Sequence, residues 1–199
     1  MALQVAPVRL VLASRSPQRR EILERLGVDF VVRPGEVDEL AHGDPDTVAR
    51  ENALRKAAAA APGEGEVVLA VDTIVALDGE LYGKPQSAAD ARRTLGALSG
   101  RTHTVISGVV LLEGGGEPLV HSAATAVSFR EIDQRLLEWY VATGEWQERS
   151  GGYAVQQAGG ALVRQIEGDY TNVVGLPLAL LLDVWPSLLD HVLSSPAVH

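Results

Sequence analysis

The sequence predicts a mixed α/β fold, a long sheet of parallel and antiparallel strands with helices on its faces. Two observations predict it. Short β-branched and apolar segments alternate with segments of helical periodicity along the chain. Some predicted strands are joined by tight glycine turns, as in hairpins, and others by helices, as in crossovers. The 199 residues contain no repeat and no linker-like stretch, and we therefore expect one domain over residues 1–199.

The first half of the chain predicts two strands and two helices. An apolar strand spans residues 9–13. A helix that begins with Ser-Pro spans residues 16–26, since serine suits the N-cap and proline the first helical position. A second helix begins with Asp-Pro and spans residues 44–60. The β-branched run 67–77 is a strand whose length indicates a break or bulge, and the Asp-Gly pair after it predicts a hairpin turn.

The second half predicts three further helical regions and three further strands. Glycine ends the first two helices, and Pro186 is expected to kink or split the last one. In chain order these elements are a helix at 87–98, strands at 103–112 and 119–129, a helix at 132–141, a strand at 161–166 and a helical region at 177–193.

Composition argues against several classes of function. A formal charge of −9 disfavours a nucleic-acid polymer as partner, because such binding depends on basic surface that neutralises phosphates. The chain has no cysteine, and so no disulfide or thiolate nucleophile. The N-terminal residues lack a secretory signal pattern, and the longest apolar stretch, residues 173–182, is shorter than the roughly 18–20 residues of a membrane span. We expect a cytoplasmic protein without a membrane partner. A small anionic substrate is compatible with this charge if a local basic cluster binds it.

Arg19 is the first candidate for such a cluster. It lies in the first turn of a predicted helix, where the helix dipole disfavours a cation by roughly 0.3–1 kcal/mol and favours a bound phosphate. The neighbouring Arg20 is explained by an exposed ion pair with Glu24, four residues later. Arg19 instead shares the apolar face of the helix with Leu23, so its guanidinium needs an anionic partner. A snorkelling arginine or a buried salt bridge is the alternative explanation.

Asp72 is the second candidate, because it interrupts an otherwise apolar strand. A buried carboxylate is costly unless it is paired, hydrogen-bonded or bound to a metal. Such a group can serve as a general base or a metal ligand. The alternative is a strand-end aspartate that caps a turn. Thr73 points to the opposite face of a regular strand.

Three other features are ambiguous from residue type alone. Lys84 follows the predicted hairpin, where an ammonium can stabilise charge on a phosphoryl oxygen, although a lysine in a surface turn is equally common. Lys56 stands in an alanine-rich helix. The glycine-rich segment 145–160 contains Gln156, and a glutamine amide can bind a nucleobase edge. A flexible surface loop is the alternative for this segment.

Familiar nucleotide and hydrolase motifs are absent. The sequence has no Walker phosphate loop, no dinucleotide-binding glycine motif and no nucleophile elbow. Its five histidines show no metal-ligand spacing. Residue types alone therefore indicate only an acidic and basic constellation that suits phosphate chemistry.

Short motifs in a fixed order resemble those of the Maf family of nucleotide pyrophosphatases, and the resemblance extends over nearly the whole chain. Each motif is short, but the ordered series is highly specific. In chain order the motifs are L-A-S-x-S-P-x-R at 12–19, V-D-E at 37–39, Lys56 in its alanine-rich helix, V-D-T-x-V at 71–75, G-K-P at 83–85, L-S-G-R-T-H at 98–103, G-G-Y-A-V-Q at 151–156 and G-D-Y-T-N-V-V-G-L-P-L at 168–178.

The resemblance implies two lobes around a cleft, often in a homodimer. It also implies hydrolysis of a nucleoside triphosphate to the monophosphate and pyrophosphate with a divalent cation, Mg²⁺ or Mn²⁺. Asp72 matches the family's proton acceptor for the attacking water, and Lys84 is the second residue expected to be catalytic. Glu39 matches an acidic residue of the cleft, and Glu39 and Asp72 are the candidates to hold the metal. The positions that bind the triphosphate are matched by Ser14, Arg19, Lys56 and Lys84.

The resemblance also predicts the substrate. Thr73 and the stretch from Tyr153 to Gln156 are similar to the subgroup that acts on dTTP and UTP, and modified pyrimidine nucleotides are further candidates. Gln18 departs from this subgroup, which usually has an arginine at that position, one linked to substrate choice. Residues 148–150 replace the usual Asp-Lys-Ala with Glu-Arg-Ser.

Two alternatives remain. One is a nucleotide-binding regulator of cell division or septum formation with little turnover. The other is a pyrophosphatase that prefers modified purine nucleotides such as 7-methyl-GTP. An intact Asp72 together with Arg19 and Lys84 favours an enzyme, because a sensor has no need of a water-activating base.

Overall fold

The computed structural model describes residues 9–189, and their centre is a mixed sheet of seven strands. The strands are β1 (Arg9–Leu12), β2 (Phe30–Val32), β3 (Glu66–Leu77), β4 (Glu80–Tyr82), β5 (Thr102–Glu113), β6 (Leu119–Phe129) and β7 (Val163–Glu167). Six follow the order β2-β1-β3-β5-β6-β7, and β4 pairs with β3. β1 is parallel to β2 and β3, and the other pairs are antiparallel. The predicted mixed sheet is confirmed.

Six α-helices are found within residues 9–189. They are α1 (Pro17–Arg25), α2 (Pro45–Ala60), α3 (Ala88–Leu98), α4 (Gln134–Thr143), α5 (Tyr170–Val174) and α6 (Leu178–Val184). The side chains of Asp44 and Ser87 cap α2 and α3 by accepting hydrogen bonds from backbone N–H groups of the first turn. None of these helices is long and apolar enough to cross a membrane.

The elements differ from the sequence prediction in three places. β3 has no break or bulge, because β5 pairs with it residue by residue from Val67 to Ala76. β2 and α5 were not predicted, since three and five residues are too few to show a hydrophobic period. α6 ends at Val184, shortly before Pro186. The predicted helical region beyond residue 189 lies outside the described residues.

Four hydrophobic clusters lie along β3 within the described residues, and the two largest lie towards its opposite ends. One core contains Val71 of β3 and Leu23 of α1, together with apolar residues of α6. The other begins at Val75 of β3 and includes Leu95 of α3 and Tyr140 of α4. The structure therefore has two lobes, as the resemblance implied, and the boundary between them crosses β3 near residue 73.

One edge of β3 is open at this boundary. β1 pairs with β3 as far as Leu69, and β4 pairs with it from Val75. Between them no described strand pairs with residues 70–74 on this edge, while the other edge stays paired with β5. Side chains on both faces of β3 can therefore border the same opening.

Gly108 of β5 allows α2 to lie against the sheet beside this opening. It is the register partner of Asp72, and a Cβ atom at this position would lie 2.2 Å from the backbone oxygen of Ala49. The face of α2 that meets the sheet is formed by small buried residues such as Ala53 and Ala57. Because no side chain separates helix from strand here, residues of α2 can reach the middle of β3.

Candidate active site

A cleft of about 1000 Å³ opens at the unpaired edge of β3. It is bordered by the β1–α1 turn, the loop before α2, α2 itself, β3, the turn after β4 and the segment after α4. All nine residues singled out from the sequence line it. They are Ser14, Gln18, Arg19, Glu39, Lys56, Asp72, Thr73, Lys84 and Gln156.

Asp72 is buried at the floor of the cleft and has two partners on α2. Its Oδ1 atom lies 2.5 Å from Nζ of Lys56, and its Oδ2 atom accepts a hydrogen bond of 3.1 Å from Nδ2 of Asn52. Lys56 also lies 2.7 Å from Oε1 of Glu39. One ammonium thus joins two carboxylates, and the charge of the buried carboxylate is compensated. Asp72 does not cap a turn.

Arg19 is buried and makes three hydrogen bonds, none of them to a carboxylate. Its Nε donates to the backbone oxygen of Gly175 at 2.8 Å, its NH1 to Ser14 Oγ at 2.8 Å and its NH2 to Thr73 Oγ1 at 3.0 Å. Burial lowers the pKa of Arg19, and the charges of Asp72 and Glu39 oppose that shift. A guanidinium keeps its charge in proteins. The arginine is therefore a fixed cation held by neutral oxygen atoms and available to an anion in the cleft.

The Thr73 hydroxyl supports Arg19. It accepts the hydrogen bond from Arg19 and shares a second one of 2.9 Å with the hydroxyl of Ser107, its register partner on β5. Thr73 lies on the opposite face of β3 from Asp72, as the sequence predicted. Both residues line the cleft because this edge of β3 is open.

Lys84 is placed differently from Lys56. It is half-exposed and pairs with Glu148, whose Oε2 lies 3.0 Å from its Nζ. The lysine in contact with Asp72 is Lys56, which the sequence alone left ambiguous. Lys84 lines the same cleft. Its catalytic role stays a prediction, because its side chain contacts Glu148 and not Asp72.

Two of the predicted specificity residues, Gln18 and Gln156, lie at the mouth of the cleft, and the third, Thr73, supports Arg19. Gln18 is partly exposed, and its Oε1 accepts a hydrogen bond of 3.0 Å from Ser16 Oγ. Ser16 stands at the N-cap of α1 as predicted, but its hydroxyl makes no capping bond. Gln156 is exposed. The preceding Tyr153 is buried, and its hydroxyl is hydrogen-bonded to His103 Nε2 at 2.8 Å.

Sequence reasoning missed Asn52, a buried residue that organises the acidic side of the cleft. Its amide donates to Asp72 and to the backbone oxygen of Leu40, while its Oδ1 accepts from the Leu40 N–H at 2.7 Å. These bonds tie the loop that bears Glu39 to α2 and β3. A signal was present, because Asn52 precedes Lys56 by four residues and so shares its helix face.

The residues fit a divalent cation that is held jointly with a substrate. No group of three or more histidine, aspartate or glutamate side chains that could hold a metal occurs within residues 9–189. Glu39 and Asp72 nevertheless converge on one ammonium. Mg²⁺ is commonly bound by one or two carboxylates together with substrate phosphates. Each carboxylate oxygen of Asp72 has one protein partner, and a carboxylate offers about four lone-pair positions in total, so capacity remains.

The comparison with known families agrees with this geometry. The model of the Maf family, described as Maf-like protein, matches residues 9–187, nearly the whole chain. This chain belongs to the Maf family. The resemblance of the sequence motifs is thereby confirmed.

Several curated proteins are similar to this Maf protein over most of its length. A dTTP/UTP pyrophosphatase of Anaeromyxobacter sp. (strain Fw109-5) is 50% identical over 176 residues, which cover 86% of this chain and 85% of that protein. A dTTP/UTP pyrophosphatase of Pyrococcus furiosus is 42% identical over 178 residues, covering 87% and 92%. Among solved structures, a HAM1 protein from Coxiella burnetii has a TM-score of 0.54 at 18% identity, over 90% of this chain and 99% of that one. That likeness concerns the fold alone.

Proposed function

We propose that this Maf protein hydrolyses dTTP and UTP to the nucleoside monophosphate and pyrophosphate. In this reaction the oxygen of a water molecule forms a bond to the α-phosphorus. The bond from that phosphorus to the oxygen bridging the α and β phosphates breaks, and pyrophosphate leaves. The relatives of 42–50% identity that are named for this activity support the assignment of substrate.

The proposal rests on one observation: a buried carboxylate and a buried guanidinium that are not paired with each other line the same cleft. The buried carboxylate of Asp72 and the buried guanidinium of Arg19 line the same cleft, and among residues 9–189 no carboxylate lies within 4.0 Å of Arg19. A cation held by neutral oxygens suits the phosphates of a nucleotide, and an adjacent carboxylate suits the activation of water. A regulator that only bound nucleotide would need the guanidinium of Arg19 and would not need the carboxylate of Asp72.

The proposed roles follow from these contacts. Asp72 accepts the proton of the attacking water, while Lys56 and Asn52 hold its carboxylate in place. Arg19 and Ser14 bind phosphate oxygens, and Ser14 and Thr73 help to orient the guanidinium. Charge that develops on the leaving pyrophosphate is stabilised by cations already in position, which avoids the cost of reorienting solvent.

A divalent cation is part of the proposal, with Glu39 and Asp72 as its protein ligands. When bound, Mg²⁺ or Mn²⁺ would polarise phosphoryl oxygens and neutralise part of their charge. Lys84 on the other lobe is available to the same phosphates once Glu148 releases it. Gln18 and Gln156, at the mouth of the cleft, are proposed to contact the base.

Release of pyrophosphate from a panel of nucleoside triphosphates tests the proposal. The panel contains dTTP, UTP, dCTP, GTP, ATP and 7-methyl-GTP, each with Mg²⁺, with Mn²⁺ and with chelator. We expect metal-dependent release led by dTTP or UTP. Release led by a purine nucleotide would contradict the pyrimidine assignment, and binding without release from any nucleotide would favour the regulator.

A further inference from the structure

Arg149 is a second arginine of the cleft that has no carboxylate partner among the described residues. Among residues 9–189 no carboxylate oxygen lies within 4.0 Å of it, and none of its side-chain nitrogens makes a hydrogen bond to this part of the chain. Its Nε atom is buried and unsatisfied. The adjacent Glu148 is turned to Lys84 instead. Leaving a buried donor unpaired is costly, and a ligand that accepts hydrogen bonds would remove this cost.

Backbone contacts anchor the segment from which the Arg149 side chain extends at the cleft. Its carbonyl accepts a hydrogen bond from Gly152, and the following Ser150 donates its hydroxyl to the backbone oxygen of Thr73 at 2.8 Å. Gly151 donates to the carbonyl of Gly83 at 3.1 Å. These bonds attach the segment to β3 and to the turn after β4. Arg149 therefore has a fixed position in the second lobe, whereas Arg19 belongs to the lobe of β1.

Arg149 is a partly buried cation in a chain whose net charge is negative. Burial lowers the pKa of its guanidinium, and the charges of Glu145 and Glu148 oppose that shift. The chain as a whole carries a formal charge of −9, yet Arg19 and Arg149 both line one cleft without a carboxylate partner. A guanidinium presents a planar fork of donors that matches two phosphate oxygens. Two such forks in different lobes suit an elongated polyanion rather than a single phosphate.

We propose that Arg149 is a second anion-binding residue of this cleft, which binds the part of a nucleoside polyphosphate that Arg19 does not reach. The inference rests on the proposed function and adds to it. The cleft would recognise the number of phosphates, since a monophosphate can occupy only one of the two positions. Charge-assisted hydrogen bonds from Arg149 would then raise the affinity for a triphosphate and leave the affinity for a monophosphate unchanged.

Calorimetric titration of UMP, UDP and UTP in the presence of chelator tests this inference. Chromatography of the recovered nucleotides verifies that they stay intact. The variants are Arg149→Gln and, as a matched loss of one exposed arginine outside the cleft, Arg164→Gln. We expect the gain in affinity from UMP to UTP to fall roughly tenfold or more in Arg149→Gln, and to be unchanged in Arg164→Gln. Arg149→Lys keeps the positive charge and loses the planar set of guanidinium donors. This variant should retain part of the gain in affinity from UMP to UTP.

The outcomes separate this inference from the function on which it rests. If the wild type prefers UTP over UMP and Arg149→Gln retains that preference in full, the inference is overturned and the proposed function stands. If the wild type binds none of the three nucleotides under chelator, the inference is overturned, and pyrophosphate release from UTP with Mg²⁺ or Mn²⁺ decides the proposed function separately. Thermal melting shows whether each variant folds. Should Arg149→Gln not fold, Arg149→Met, which keeps an apolar stem of similar length, replaces it with the same two outcomes.

Discussion

Nζ of Lys56 on α2 lies 2.5 Å from Oδ1 of Asp72 in the middle of β3. Both side chains are largely buried, with 14% and 10% of their surfaces exposed. The pair compensates a carboxylate that would otherwise be costly to bury. It also directs the remaining lone pairs of Asp72 towards the cleft, where a water molecule or a cation can use them. The geometry of the proposed base is thus set by a side chain that stands sixteen residues earlier, on a different element.

Replacement of Asp72 by Asn should abolish turnover and leave nucleotide binding largely intact. The amide has nearly the same shape and can still accept a hydrogen bond from Lys56, which also keeps Glu39 as its ion-pair partner. It cannot take a proton from water, so we expect the rate of pyrophosphate release to fall by at least about 10²-fold. Release assays and calorimetry measure the two effects.

Asp78→Asn is the matched control, because Asp78 lies in the hairpin turn just after β3 and outside the cleft. Its positive φ of 53° is one that asparagine tolerates. Wild-type turnover in Asp72→Asn would remove Asp72 from the mechanism.

Replacement of Gly108 by Ala should reduce stability and activity together. The new Cβ would lie 2.2 Å from the backbone oxygen of Ala49, so α2 must move away from β5. We expect the free energy of unfolding to fall by roughly 1–3 kcal/mol. Turnover should fall as well, because Lys56 and Asn52 move with the helix and away from Asp72.

The control for Gly108 is Gly96→Ala in α3, where no atom lies within 4 Å of the new Cβ. Alanine favours a helix over glycine by roughly 0.5–1 kcal/mol, so this variant should be equally or more stable and fully active. Urea unfolding and release assays measure both proteins. Unchanged activity in a destabilised Gly108→Ala variant would show that the position of α2 does not govern the site.

Replacement of Gln18 by Arg should sharpen the preference for dTTP and UTP. Gln18 lines the cleft, and its side chain is bonded only to the nearby Ser16 among the described residues. A longer guanidinium at this position can reach base oxygens that the amide does not. The measurement is kcat/KM for dTTP, UTP and 7-methyl-GTP. Gln165→Arg, on exposed β7, controls for the added charge, and an unchanged ranking of the three substrates in Gln18→Arg would contradict a role in specificity.

His103 should make the protein lose stability in mild acid. It is buried against Phe129 and Tyr153, and burial lowers its pKa to about 4 from 6.5. Between these values the unfolded chain binds a proton that the folded protein does not, so stability is complete above about pH 6.5 and decreases as the pH falls towards 4. The loss is roughly 3 kcal/mol at most.

Urea unfolding at pH 7 and at pH 4.5 measures this effect. His103→Gln should have a lower stability at pH 7, because the packing is disturbed, and a smaller loss between the two pH values. His121→Gln, a partly exposed histidine on β6, should retain the wild-type loss. An identical loss in His103→Gln would assign the acid sensitivity to other groups.

Much of the fold was predictable because it depends on local signals. The starts of α2 and α3 lie at side chains that cap the helix, and the Asp78-Gly79 turn follows a β-branched run. The continuity of β3 was not predictable, since a twelve-residue strand is unusual unless one partner follows most of it, and that partner is β5. β2 and α5 were missed because elements of three and five residues are too short to show a hydrophobic period.

The sequence by itself determined nine of the residues that border the cleft and the family to which the chain belongs. Short motifs such as those around Arg19 and Asp72 are local in the chain and could be recognised without coordinates. The contacts among these residues were decided only by the tertiary structure. Lys56, not Lys84, reaches Asp72, because Gly108 lets α2 lie directly on the sheet. Such distances join residues far apart in the chain, and they depend on how helix and sheet pack rather than on any sequence period.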